Sequence, residues 1–204
     1  MVGNDIVDLS ISHIGKGTRR TRYLAKVFAK EEREIIDQLG NDDIWIWLLW
    51  SVKESVYKVV SRKEQIIRYA PKSLMCLSIK KKSESNYETI VEYNGEQFVV
   101  VSHVNDKYVH SVTTTSNSNQ SISDVFTISP DENKSEVIDE KVLMWIRENI
   151  KIEYKNTSII RDAHRVPHIY NGNKELYFLS MSHHGKFGAF SISNNQTNVE
   201  HFGH

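Results

Sequence analysis

Asp5 and Glu54 are hard oxygen donors of the kind that suits magnesium, and they fall on different segments of the chain. Each has a plainer reading beside that one. Asp5 follows Asn4, a pairing common in turns, and Glu54 stands four residues before Lys58, the spacing of a solvated helix pair worth roughly 0.2–0.5 kcal/mol. The 9 histidines form no zinc pattern: His164 and His168 are four apart, but Pro167 between them argues against the helix that would align them. His183-His184 stands between a strand-like run and Gly185, where a turn can present an imidazole to an anion; a structural hydrogen bond is the alternative. His201 and His204 lie on a polar tail. Nothing matches a phosphate-binding P-loop, a Gly-x-Ser-x-Gly elbow or a Gly-x-Gly-x-x-Gly fingerprint, and Gly15-Lys16-Gly17 is a lone fragment.

The elements that must position these residues follow from periodicity. Residues 2–9 read as a short strand carrying Asp5. Acids at Glu31 and Glu32 open a helix from Ala29 to about Leu39, ended by Gly40, and Asn41-Asp42-Asp43 supplies the cap of the next one. That next helix, over 43–63, has the strongest pattern: Leu48, Leu49, Val52, Val56, Val59 and Val60 make one buried stripe, with Lys53, Glu54 and Lys58 off it. The basic run Thr18–Tyr23, with Arg19, Arg20 and Arg22, leads into an apolar and charged segment. β-type runs follow at 74–80, 87–93, 97–103 and 108–114, with Asn94-Gly95 as a hairpin turn. A Ser/Asn-rich stretch from Thr115 to Ser123 reads as a linker. A helix over 135–150 and strands at 157–161, 166–170, 175–182 and 187–193 complete the pattern. The fold class is α+β, helix and strands twice over, and Ser102-His103 and Ser182-His183 give the two strand sets a shared local look.

Composition narrows the field. Lys plus Arg (26) equals Asp plus Glu (26), so no overall charge draws the chain to nucleic acid or to an anionic membrane. Cys76 is the only cysteine, which excludes an internal disulfide and a thiol-rich metal site. No apolar run approaches the ~20 residues of a membrane span. An acid stands where a signal peptide would carry basic residues, so a cytoplasmic protein is expected.

Three segments, in order, resemble one family. Gly3-Asn4-Asp5-Ile6-Val7-Asp8 resembles the Gly-x-Asp-Ile-Val-Glu opening of holo-acyl-carrier-protein synthases. Trp50-Ser51-Val52-Lys53-Glu54-Ser55-Val56-Tyr57-Lys58 resembles the Trp/Phe-x-x-Lys-Glu-Ala/Ser-x-x-Lys signature of 4′-phosphopantetheinyl transferases. Ser180-Met181-Ser182-His183 resembles the strand-ending Ser-x-Ser-His of the same superfamily. The chain departs from it too: Val7 stands where surfactin-type members carry a third acid, and Asn4 replaces an apolar residue.

The resemblance implies a Mg²⁺-dependent transfer of phosphopantetheine from coenzyme A to a serine of an acyl or peptidyl carrier protein, releasing adenosine 3′,5′-bisphosphate. Fatty-acid, polyketide and peptide carriers all belong to that class. It implies Asp5 and Glu54 as metal ligands, Glu54 as base for the serine, and Lys58 on the phosphates. Ser182 and His183 would contact the nucleotide, with Lys53 and Arg165 as weaker cofactor contacts. It also implies a monomeric pseudo-dimer of two related lobes: 1–115 with the Asp and Lys-Glu motifs, a linker at 116–134, and 135–204 with Ser-His. Surfactin-type members carry their Ser-His lobe first, so the lobe order here is reversed. Ser102-His103 then becomes a decoy, and Arg19, Arg20 and Arg22 become the docking face for the carrier's acidic helix. A catalytically inactive binder of coenzyme A or carriers is the alternative, although such a protein needs no metal pair.

Overall fold

Strand β1 (Val2–Asp8) alternates in the way that decides the whole architecture. Gly3, Asp5 and Val7 face a long helix of their own lobe, while Asn4, Ile6 and Asp8 face the other lobe. The protein is described from a computed structural model covering residues 1–13, 18–40, 42–65, 69–115, 121–150 and 156–194.

The first lobe continues through α1 (Thr18–Val27), α2 (Lys30–Gln38), α3 (Asp43–Glu64), β2 (Met75–Lys81), β3 (Asn86–Tyr93), β4 (Glu96–Val104) and β5 (Tyr108–Thr114). The second comprises β6 (Ser121–Thr127), α4 (Lys134–Asn149), β7 (Thr157–Arg161), β8 (Pro167–Asn171), β9 (Lys174–His184) and β10 (Phe187–Asn194). The sheets run β1-β5-β4-β3-β2 and β6-β10-β9-β8-β7. Each is antiparallel, and in each the first strand closes against the last. The fold is α+β with two lobes built to one plan.

The core of the first lobe is the stripe read from the sequence. Leu48, Leu49, Val52, Val56, Val59 and Val60 of α3 are buried against Cys76, Val91, Phe98, Val100 and Val109 of the sheet. At about 1.5–3 kcal/mol per fully buried aliphatic side chain, this face is what holds α3 in place. The helix stops at Gln65, in the left-handed region at φ 55°. The β3–β4 hairpin turns on Asn94 and Gly95, with φ of 51° and 81°, as an Asn-Gly two-residue turn requires. In the second lobe, Ile138, Val142 and Ile146 of α4 pack on Ile169, Leu179, Phe190 and Ile192.

Two elements escaped the sequence pattern. Thr18–Val27, read as a basic run, is helical and tucks Tyr23, Leu24 and Val27 against the first core. Ser121–Thr127, inside the expected linker 116–134, is β6 and pairs from Ser121 with Ser193 to Thr127 with Phe187. Its strand state comes from that distant partner, and its own polar sequence carries little of the signal. Residues 116–120, Gly15-Lys16-Gly17 and the tail from 195 lie outside the described residues, as do His201 and His204. No helix among the described residues is long and apolar enough to cross a membrane.

The shared look of the two Ser-His pairs dissolves on inspection of faces. β4 and β9 are topological equivalents, yet Ser102 lies with Phe98 and Val100 on the side facing α3, bonded to Ser111 Oγ at 2.8 Å. On β9 it is Tyr177 and Leu179 that face the helix, so Ser182 faces the other lobe. A one-residue offset puts the two serines on opposite sides of their sheets.

Candidate active site between the lobes

Helix α3 can approach β1 closely because residue 3 has no side chain. A Cβ on Gly3 would lie 2.1 Å from the Ser55 carbonyl oxygen and 3.0 Å from Val59 Cγ2. Ser51 Oγ, one turn earlier, donates to the Asp5 carbonyl at 3.2 Å, and Ser55 Oγ shares a 2.8 Å hydrogen bond with Thr113 of β5. Small residues at 3, 51 and 55 thus bring the acid of the strand against the acid and base of the helix.

The resulting cluster is Asp5, Glu54 and Lys58. Lys58 Nζ stands 3.5 Å from Asp5 Oδ1, and it donates to the Asn4 carbonyl at 2.6 Å and to the Met181 carbonyl of β9 at 3.4 Å. One ammonium is therefore anchored to both lobes. Asp5 keeps 15% of its side chain exposed, and burial lifts its carboxyl above the ordinary range against the pull of Lys58. Burial, then the charge of Asp5, lifts Glu54 to about 7, with Lys58 offsetting only part of it. Around Glu54 stand aromatic rings: Trp50 and Tyr69 meet edge to face at 5.6 Å, and Tyr57 and Tyr69 at 4.8 Å. Burial and the Glu54 charge push the Tyr23 phenol up to about 12.

Two partly buried carboxylates, both lifted by burial and Glu54 lifted further by the charge of Asp5, with a single ammonium against them, leave the cluster short of positive charge. Among the described residues no group of three or more His, Cys, Asp or Glu side chains converges on one point. The donor set is two oxygens, which fits a hard cation such as Mg²⁺ that keeps several of its waters, and does not fit zinc.

Not every expected residue belongs to this cluster. Lys53 is fully buried, and its ammonium is spent on Glu32 at 2.6 Å, the Pro71 carbonyl at 2.8 Å and the Leu74 carbonyl at 2.7 Å. Glu32 also accepts the backbone N–H groups of Ala29 and Cys76. Lys53 is a clamp joining α2, α3 and the approach to β2, with no donor left for a cofactor. Ser182 Oγ, on the face of β9 turned to the first lobe, is buried with no hydrogen-bond partner. Arg20 forms an ion pair with Asp43 at the start of α3, which removes it from an open basic face; Arg22 is exposed, and the Arg19 side chain lies outside the described residues.

His183 is exposed on the face of β9 that carries Leu179. Partial desolvation of the inner part of its ring, then the nearby Lys134 and Lys58, hold its imidazole below the ordinary range. Arg165, in the left-handed region at φ 62°, lines a cleft of about 250 Å³ with Lys58, Ser61, Arg62, His164 and Ser180. Arg62 was missed from the sequence, although Glu54, Lys58 and Arg62 share one four-residue spacing along the helix. Its Nη2 donates to the Leu179 carbonyl at 2.6 Å, and its guanidinium lies over the Phe178 ring. Lys134 had no sequence signal; it donates to the Gly185 carbonyl at 2.9 Å, beside His183. Asp8 joins the lobes as well, accepting from Ser10 and from the Lys186 N–H.

The protein is thus a two-lobed α+β fold with paired acids and a shared lysine at the lobe junction. The profile of the 4′-phosphopantetheinyl transferase superfamily matches residues 1–113, from β1 through nearly all of β5, and the chain belongs to that superfamily. No curated protein matches the chain.

Proposed function

We propose that the protein transfers the phosphopantetheine arm of coenzyme A to a carrier-protein serine, in the cleft where β1, α3 and β9 meet. The observation that carries this reading is the convergence of Asp5 of β1 with Glu54 and Lys58 of α3, with Lys58 bound to both lobes. Asp5 and Glu54 would hold Mg²⁺, which when bound supplies the charge neutralisation that a diphosphate needs.

The chain's own residues do the rest. Lys58 is held by two carbonyls and so presents a fixed positive charge, needing no reorganisation as charge grows on the leaving phosphate. Glu54, on the helix face that meets Asp5 and Lys58, is the carboxylate placed to accept the serine proton. The serine oxygen bonds to the β-phosphorus as its proton passes to Glu54, and the bond to the 5′-phosphate of adenosine 3′,5′-bisphosphate breaks. Arg62 and Arg165 line the cleft beside Lys58, while Lys134 and His183 stand near Gly185 at the end of β9; both places offer positive charge or hydrogen-bond donors that suit the nucleotide end of coenzyme A.

The partners that follow are coenzyme A and an acyl or peptidyl carrier, with Arg22 as the exposed member of the expected docking run. We read the assembly as a monomer with one cleft, its first lobe ending near residue 115 and its second starting at β6. The test incubates an apo carrier with the protein, coenzyme A and Mg²⁺ and weighs the carrier. A gain of one phosphopantetheine, lost on chelation and in Glu54→Ala, supports transfer. Binding of coenzyme A without gain on fatty-acid, polyketide and peptide carriers would overturn it in favour of a binder.

A further inference from the structure

The histidine that looks into the lobe junction is His184, one residue beyond the Ser-His motif. Strand alternation puts Phe178, Ser180, Ser182 and His184 on the face of β9 turned to the first lobe, and the cross-strand partners of Ser182 and His184 on β10, Ala189 and Phe187, pack there against Ile6. Along this face the side chains meet the backbone of β1 at matched spacing. Ser180 Oγ accepts from the Asn4 N–H at 2.9 Å, and four residues on in both strands His184 Nδ1 accepts from the Asp8 N–H at 2.9 Å.

That second bond fixes the chemistry of the ring. A backbone N–H pointing at Nδ1 demands a lone pair there, so the hydrogen of the neutral imidazole sits on Nε2. A protonated Nε2 cannot ligate a cation, and His184 is therefore not a third metal ligand. It is a donor whose ring is locked at one nitrogen and free to give a hydrogen bond at the other. The ring is half-buried, lies within electrostatic reach of Asp5, and neighbours a second imidazole, His183, that senses Lys58.

We propose that His184 is a substrate-contacting residue whose Nε2–H donates to a phosphoryl oxygen of the diphosphate held at Asp5, Glu54 and Lys58. The inference rests on the transferase reading. It adds to Lys58 a neutral donor from the opposite lobe, so both lobes touch the reacting phosphates.

Two variants separate this role from simple stitching of the lobes. His184→Gln places an amide NH₂ near the Nε2 position, while His184→Asn keeps an oxygen near Nδ1 for the Asp8 N–H and loses the distal donor. Calorimetry of coenzyme A binding in Mg²⁺, kinetics of transfer to a carrier, and thermal melting are measured on both. The expected result is that Asn loses about ten- to a hundredfold in kcat/KM with melting close to wild type, and that Gln recovers a substantial part. Asn matching or exceeding Gln in activity, or activity of both following the melting temperature, would overturn the proposal. Wild-type protein that binds coenzyme A without transferring it would sink the transferase reading, while the Gln-over-Asn order in binding would still decide the role of His184.

Discussion

Replacing Gly3 with alanine tests whether close approach of β1 and α3 builds the site. The added Cβ would sit 2.1 Å from the Ser55 carbonyl oxygen, more than an ångström inside an ordinary carbon–oxygen contact of about 3.3 Å, and against backbone, which cannot rotate away. The helix must retreat by about 1 Å, and overpacking of this kind costs about 1–3 kcal/mol. In a chain of this size that lowers Tm by about 2–12 °C, at roughly 2–4 °C per kcal/mol. The catalytic loss is larger than the loss of folded protein, because Glu54 and Lys58 ride on the retreating helix while Asp5 stays on the strand. A misplacement of about 1 Å is enough for a hundredfold fall in kcat. Melting curves and carrier-modification kinetics at a temperature where the variant is still folded separate the two effects. A Gly3→Ala protein with wild-type kcat, or one whose activity falls only in proportion to unfolded protein, would refute the reasoning.

Two further outcomes follow from the charges. The folded protein holds the Glu54 proton up to about 7, against an ordinary value of 4.5, so metal-free stability should fall as pH rises through that window and level off above it. The shift is worth about 3 kcal/mol, and Glu54→Gln or saturating Mg²⁺ should flatten the slope; parallel melting-versus-pH curves for wild type and variant would contradict this. Lys53→Met strands the fully buried Glu32 carboxylate, so a stability loss of about 3–5 kcal/mol is expected by denaturant titration. The KM for coenzyme A of the protein that remains folded should be unchanged, and a specific rise in that KM would restore a ligand role for Lys53.

Much of this was legible in residue order, and the gaps have physical causes. The α3 stripe and the Asn-Gly hairpin are local signals, and both elements formed where they were read. Asp5 and Glu54 meet because glycine and two serines permit it, a fact visible only once strand and helix are known to pack. Lys53 reads like its neighbour Glu54 by spacing, but a partner 21 residues earlier, Glu32, takes its charge into the core. β6 is polar enough to pass for linker, since half its definition lies in β10. His184 could not be told from His183 by type; only the parity of β9 separates them.

β1 is an edge strand of its own sheet, and side chains of the second lobe satisfy its backbone donors at Asn4 and Asp8. Excising the first lobe alone, near residue 115, would strip those partners and leave a bare hydrogen-bonding rim beside exposed Ile6. Such a fragment has a ready template for pairing with copies of itself. The second lobe therefore acts as an intramolecular guard against self-association.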